Sequence, residues 1–388
     1  MNKAPSERER NDPMRVILNL AELKESLSSI TKFLPASSPK EILKGILVRV
    51  NDDGRVEWIA FNGTLGIRDF LMSQVSEPGS VVLPGSPFYS LVNKLPKGEV
   101  ELYMEPGDSK ITLKCGVHTS QIAVMKAAEF PELPVLNHVN WSVSISQVKL
   151  REMIERVSFA RAVADETRPL LTGVNLLVTP DSVRLTALDG YRMATQVTSQ
   201  HTDLPDGKEE LSVVLSGEMV KNLAAILEDA DVPCQLSFDD SHMLVTFGHV
   251  SLIASTLAGE YIYYGKVIPQ SFSVKVKVRT DTLKESISRC LIVARESSSR
   301  LMKMDMRTEE MTISANSPIM TMRDVLPHQM EGTDLVIAFN CEFLNEILNH
   351  VSSDHSLLQF NGQNQPMMVT PDDGEDYLFI LLPVRVAE

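Results

Sequence analysis

The chain has 388 residues, 43% hydrophobic and 23% charged, with 51 acidic against 37 basic side chains and a formal net charge of −14. This composition fits a globular protein with more than one core, and its acidity excludes general adhesion to phosphate polymers, which cationic contacts and counterion release drive. No run approaches the roughly 18 apolar residues that cross a bilayer, so no membrane association and a cytoplasmic location are expected. The opening MNKAPSERERNDP, residues 1–13, mixes charge, Pro and Asn without periodicity and reads as a mobile extension before Met14.

From Met14 onward one succession of elements is written three times. Leu23-Lys24-Glu25-Ser26 recurs letter for letter as Leu283-Lys284-Glu285-Ser286, with Leu150-Arg151-Glu152-Met153 between them. VEWIAFNGTLGI from Val56 aligns with VRLTALDGYRMA from Val183 and MTISANSPIMTM from Met311, so Ala60, Ala187 and Ala315 stand at equivalent places 127 and 128 residues apart. VVLPGSPFYSLVNKL from Val81, VVLSGEMVKNLAAIL from Val213 and LVIAFNCEFLNEIL from Leu335 each read as a short buried strand, a capping-type residue and an amphipathic helix. A period of roughly 130 residues is too long for solenoid or propeller units. Three domains are therefore expected, at 14–137, 138–264 and 265–388.

The middle copy shows the pattern. Ser142–Ser146 alternates as a strand, and Gln147–Ala162 carries Leu150, Ile154, Val157 and Ala160 at helical spacing. Thr172–Thr179 and Ser182–Ala187 are β-rich runs separated by the turn signal Pro180-Asp181; Asp189-Gly190 marks a further turn before a strand from Arg192 to Thr198. Ser212–Leu215 leads into a second helix with Leu223, Ile226 and Leu227 on its apolar side, and Cys234–Phe238, Met243–Phe247 and Ser251–Thr256 supply further strands. The fold class is α+β: two helices per copy, covering one face of an antiparallel sheet. Edge strands of successive copies could pair, and a closed arrangement, by one chain or by a dimer, would remove exposed edges.

Catalytic chemistry finds little footing. There is no Gly-rich phosphate loop, G-x-S-x-G elbow or H-E-x-x-H helix. Cys115, Cys234, Cys290 and Cys341 lie far apart without zinc spacing and read as reduced buried thiols. His350 and His355, five apart at a helix end, fall on different faces, and Asp165-Glu166 reads as a solvated turn, so no metal, cofactor or catalytic residue is expected.

SFARAVADETRPLLTGVNLLV from Ser158, followed by LTALDGYRMA from Leu185, resembles the middle-domain signature of the bacterial β sliding clamp, the processivity subunit of DNA polymerase III. FNCEFLNEIL from Phe339 and the ending LLPVRV from Leu381 are similar to that family's third domain and C-terminus. The resemblance implies three DNA-clamp domains, closing as a head-to-tail homodimer into a ring that encircles duplex DNA without reading its sequence. It implies no catalysis, and it implies partners in the polymerase III alpha subunit, the clamp loader and other proteins carrying clamp-binding motifs. Topological linkage needs only weak, exchangeable phosphate contacts, so cations are expected on the inner helices. The candidates are Lys24 and Lys32; Lys149, Arg151, Arg156 and Arg161; and Lys221, Lys284, Arg289 and Arg295. The loop Ala36-Ser37-Ser38-Pro39 lacks the arginine common in the family, which puts a DNA contact there in doubt.

The same resemblance implies a groove for short linear peptides. From the middle repeat it would use Leu171, Leu188, Gly190, Tyr191, Arg192 and Met193, and from the connecting segment Ile262, Lys266 and Val267. The last repeat would add Asn340, Phe343, Ile380, Leu382, Pro383, Val384, Arg385 and Val386. An apolar floor, a few polar groups and a glycine where a ligand can approach suit a peptide. Asp189-Gly190-Tyr191-Arg192 is read as having no counterpart in the other two repeats. Ile262 stands where the family usually has Pro, and Lys266 where it often has Arg. These departures set up the alternative of a specialised paralogue or scaffold with altered partner or inhibitor affinity.

Overall fold

In the computed structural model, residues 13–374 and 376–385 are described. The segment expected to be an extension lies outside them except for Pro13, and so does Val386 of the expected groove.

Six helices form where the periodicity places them: α1 (Leu20–Ile30), α2 (Gly85–Lys94), α3 (Gln147–Ser158), α4 (Gly217–Ile226), α5 (Thr280–Arg295) and α6 (Cys341–Asn349). In α1, Leu20, Leu23, Leu27 and Ile30 make one buried stripe. The Asn19 side chain caps it by accepting from the Ala21 amide at 2.8 Å, and Asn340 caps α6 by accepting from the Glu342 amide at 2.9 Å; each such cap is worth about 1 kcal/mol. The α3 helix stops at Ser158, short of the expected Ala162, and Pro169–Thr172 forms a 3-10 turn ahead of the strand Val174–Thr179. At the start of α4, a Cβ on Gly217 would lie 2.6 Å from an Arg161 guanidinium nitrogen and 2.7 Å from the Thr172 carbonyl, so close packing requires glycine there.

The strands do not lie in one sheet per copy. Among the described residues they form four antiparallel sheets, of five, nine, nine and four strands. The first nine-stranded sheet joins strands of the first and middle repeats, because the edge strand Leu65–Met72 pairs with Val250–Ser255, Ile67 facing Leu252. The second joins middle and last repeats in the same way: Arg192–Ser199 pairs with Tyr377–Leu381, Thr195 facing Leu378. Edge pairing satisfies backbone groups that a self-contained sheet would leave open, which is why the expected single sheet divides.

The chain accordingly packs as two compact units, the residues up to Leu150 with Lys221–Thr256, and Arg151–Val220 with the residues from Leu257. Within the first, Trp58 is fully buried and stacks on Phe88 at 6.0 Å, while Trp141 stacks on Phe238 at 3.9 Å. In the second, Phe339, Phe360 and Phe379 are the largest fully buried side chains.

Candidate peptide groove and clamp identity

The groove residues all belong to the second unit. The turn between the strands Ser182–Leu188 and Arg192–Ser199 is held by Asp189, whose Oδ1 accepts from the amides of Tyr191 (2.8 Å) and Arg192 (3.0 Å). Gly190 takes φ +94, and a Cβ there would lie 3.1 Å from the Arg168 guanidinium. Arg168 is itself tied to Asp165, whose carboxylate accepts from Thr167 and from the Arg168 amide and side chain, and these bonds, with Thr167 foremost, hold the Asp165 pKa down.

Arg192 is a buried organiser. Its Nε donates to Asp189 Oδ2 at 3.1 Å, one terminal nitrogen donates to the Phe159 carbonyl at 3.0 Å, and the other pairs with Glu346 of α6. Its guanidinium also lies 4.5 Å from the Phe343 ring centroid. Only 8% of its side chain is exposed. These contacts fix the tilted pair formed by Phe343 and the exposed Tyr191, with ring centroids 6.0 Å apart. Behind them His350 stacks flat on Phe159 at 4.4 Å, and burial lowers its pKa, helped by the nearby charge of Arg156. His355 faces Asp372 instead, so the two histidines serve different partners.

The C-terminal wall is anchored by two backbone bonds: the Leu382 amide donates to the Tyr191 carbonyl at 2.9 Å, and the Val384 amide to the Ala338 carbonyl at 2.8 Å. Met193, Ile380 and Met368 form a buried floor against Leu188, Tyr264 and Ile268. Tyr191, Ile262, Val267, Leu382 and Val384 are all exposed. An apolar floor with a rim of solvent-facing side chains is what a short apolar peptide needs. Leu171 is fully buried and offers no side chain to solvent. Asn340 spends its side-chain oxygen on capping α6. Lys266 and Val267 lie in the turn closed by the Val267 amide on the Tyr264 carbonyl at 2.9 Å. Pro383 and Arg385 continue the tail beyond the last strand.

The expected DNA-facing cations have structural partners more often than anticipated. Lys24 donates to the Asn93 carbonyl at 3.4 Å, Lys32 to the Ala225 carbonyl at 2.5 Å and Lys284 to the Val351 carbonyl at 3.0 Å. Lys24 and Lys32 therefore sit at the carbonyl ends of α2 and α4, and Lys284 just beyond that of α6, where a cation is favoured. Arg151 pairs with Glu155, Arg289 with Asp324 and Arg295 with Glu342. Arg156 binds Glu152 at 3.1 Å and lies 4.0 Å over the Tyr377 ring with only 12% of its side chain exposed, while Arg161 packs on Gly217. Lys149 is half-buried and Lys221 is exposed.

Three family models of the DNA polymerase III beta subunit match in order: its N-terminal domain over residues 14–134, its central domain over 144–262 and its C-terminal domain over 265–385. The chain belongs to the DNA polymerase III beta subunit family. It is a DNA sliding clamp built of three clamp domains, mixed α and β with few helices on antiparallel sheets.

Among its relatives, the beta sliding clamp of Bacillus subtilis is 26% identical over 383 residues, covering 96% of this chain and all of the relative. That of Staphylococcus epidermidis is 28% identical over 315 residues, covering 80% and 81%. The solved beta subunit of Thermotoga maritima, at 29% identity, superposes with a TM-score of 0.88, and the Bacillus subtilis clamp, at 26%, with 0.90; both comparisons cover 96% of this chain and all of the other. The Pseudomonas aeruginosa clamp bound to griselimycin, 21% identical, shares the fold with a TM-score of 0.90 over 96% of this chain and all of that one.

One sequence expectation is corrected by the turns themselves. Asn62 Oδ1 accepts from the Thr64 and Leu65 amides at 3.1 and 2.9 Å, Gly63 takes φ +107, and Ser317 accepts from the Met320 amide at 3.0 Å. The Asp189 turn therefore recurs in geometry in the other repeats. What does not recur is the Tyr191-Arg192 pair and the buried ion network behind it. Met368 and Glu346 escaped the sequence reading: Met368 lies in no motif, and Glu346, although within FNCEFLNEIL, was not singled out, because its role shows only in its ion pair with Arg192.

Proposed function

We propose that two copies of this chain close head to tail into a ring around duplex DNA, with domains at 14–137, 138–264 and 265–388. The carrying observation is an equivalence of strand edges. Leu65–Met72, Arg192–Ser199 and Thr321–Leu326 hold the same register against the strands bearing Ala60, Ala187 and Ala315. The first two are paired to Val250–Ser255 and Tyr377–Leu381, whereas Thr321–Leu326 ends its sheet. The counterpart of those partner strands in the first repeat, His118–Ala123, also ends its sheet. A second copy supplies each edge with the mate that the other repeats already have. Exposed Ile319, Met320 and Val325 on and beside the last strand favour such pairing.

Within the ring the protein performs no catalysis and acts in the cytoplasm as a tether. The surface formed by Tyr191, Met193, Phe343, Leu382 and Val384 takes linear motifs of the polymerase III alpha subunit, the clamp loader and other clamp-binding proteins, and the griselimycin complex of the Pseudomonas aeruginosa relative supports a ligand-binding surface of this kind. Lys24, Lys32, Lys149, Lys221 and Lys284, with Arg161 and the ion-paired arginines Arg151, Arg156, Arg289 and Arg295, give the DNA only weak contacts, which suits sliding. The test is to load the protein on nicked circular DNA with a clamp loader and then linearise the circle. A ring runs off the ends; retention on linear DNA would refute the reading.

A further inference from the structure

The first unit contains a cleft of about 550 Å³ between α1 and the strand Leu65–Met72. Strand registers identify its counterpart in the second unit. Trp58 faces Asp69 as Leu185 faces Gln196, and Arg68 faces Ser251 as Thr195 faces Leu378. Asp69 therefore corresponds to Gln196, and Val250, which precedes Ser251, to Tyr377. On the helices, aligning Leu23 with Leu150 matches Glu25 with Glu152 and Ser29 with Arg156.

In the second unit this place is full. The Arg156 guanidinium lies over Tyr377 at 4.0 Å and binds Glu152 at 3.1 Å, and Gln196 donates to the same Glu152 carboxylate at 3.0 Å. In the first unit the arginine and the ring are replaced by Ser29 and Val250, which opens the cleft. The carboxylate survives as Glu25, and the neutral glutamine becomes Asp69, 6% exposed. Deleting a buried cation while adding a buried anion leaves an excess of negative charge, offset only in part by His249 at the same cleft and by hydrogen bonds to Asp69 from Ser26 and the Phe70 amide, and a returning cation would relieve it. Ser26, 3% exposed, lines the cleft beside Asp69; its hydroxyl turns toward that carboxylate, lowering its pKa, and has no other hydrogen-bond partner among the described residues, so its oxygen stays open to a donor.

We propose that this cleft is a binding site for a guanidinium group, delivered by an arginine side chain of a protein partner. The ligand takes the place that Arg156 occupies in the second unit: its planar fork meets Glu25 and Asp69, Ser26 accepts a further N–H, and its methylene stem lies along Leu71 and Val250. Lysine has no such fork and fits less well. Glu22 and Glu228 at the same cleft add attraction for a cation.

The inference does not depend on ring closure or on the groove, so it is tested on the full-length protein alone. A blocked Gly-Arg-Gly peptide is titrated by calorimetry beside its citrulline isostere, which keeps the shape and removes the charge. Saturable binding of the arginine peptide is expected, with the citrulline peptide at least about tenfold weaker. Ser29→Arg, which restores the arginine of the second unit, should abolish binding in a protein that melts no lower than wild type. Asp69→Gln, which copies Gln196, should weaken binding about tenfold and decides the matter if the first variant fails to fold. Equal affinity for the two peptides, no saturable binding to wild type, or unaltered binding in either folded variant would overturn the proposal.

Discussion

Replacing Arg192 with alanine tests how the groove is built. The side chain is 8% exposed and serves Asp189, the Phe159 carbonyl and Glu346 while lying against Phe343. Removing one member of a buried charge network costs about 3–5 kcal/mol, because the partners left behind stay desolvated. Asp189 carries most of that cost, with 13% of its side chain exposed, whereas Glu346, 43% exposed, recovers water. The expected loss for Arg192→Ala is therefore near the lower end, about 3 kcal/mol, read as a lower urea midpoint at unchanged m-value. Arg192→Lys keeps the charge but not the fork, and should recover only part of the loss. Because Phe343 and Tyr191 lose their brace, the affinity of the proposed groove for a clamp-binding peptide, measured by calorimetry, should fall about tenfold in both variants. An alanine variant within about 1 kcal/mol of wild type would show that Arg192 behaves as an ordinary surface ion pair and refute the reasoning.

Three further outcomes are expected. Gly190→Ala forces a side chain into φ +94 and should cost about 1–2 kcal/mol in urea unfolding. Ile262→Pro fixes the backbone of the exposed connecting segment and should change the calorimetric affinity for a clamp-binding peptide; identical values would show that this departure from the family is silent. Burial raises the Asp69 pKa above 3.8, so the folded state holds a proton that the unfolded state releases, and stability falls as pH rises from that value toward the folded pKa. Asp69→Asn removes this loss. Its stability relative to wild type should grow between pH 4 and pH 7 in denaturant titrations, and a flat difference would contradict the assignment.

The threefold order of elements was legible because burial imposes it: Leu23, Leu150 and Leu283 are all core residues, as are Ala60, Ala187 and Ala315. Strand and helix periods report such burial directly. How strands distribute among sheets was not legible, since alternation in Leu65–Met72 says which face is buried and nothing about which neighbour lies beyond its edge. The convergence of Tyr191, Phe343 and Leu382 came from family resemblance, as their separation in sequence gives no local signal. Charge roles were the least legible. Arg156 and Lys221 look alike on helices, yet one is stacked on Tyr377 and the other is exposed. That difference arises from a residue more than two hundred positions away, which helix spacing cannot register.

The edges of His118–Ala123 and Thr321–Leu326, left open where the other repeats are paired, have a consequence beyond assembly. A subunit bearing one edge of each kind has the valence of a monomer in a linear polymer, and each addition leaves the same two ends exposed. In the proposed ring, closure after two copies stops that growth. Whatever opens the ring therefore creates a reactive end as well as a passage for DNA, and the speed of reclosure decides whether the opened molecule returns to the circle or recruits a third copy.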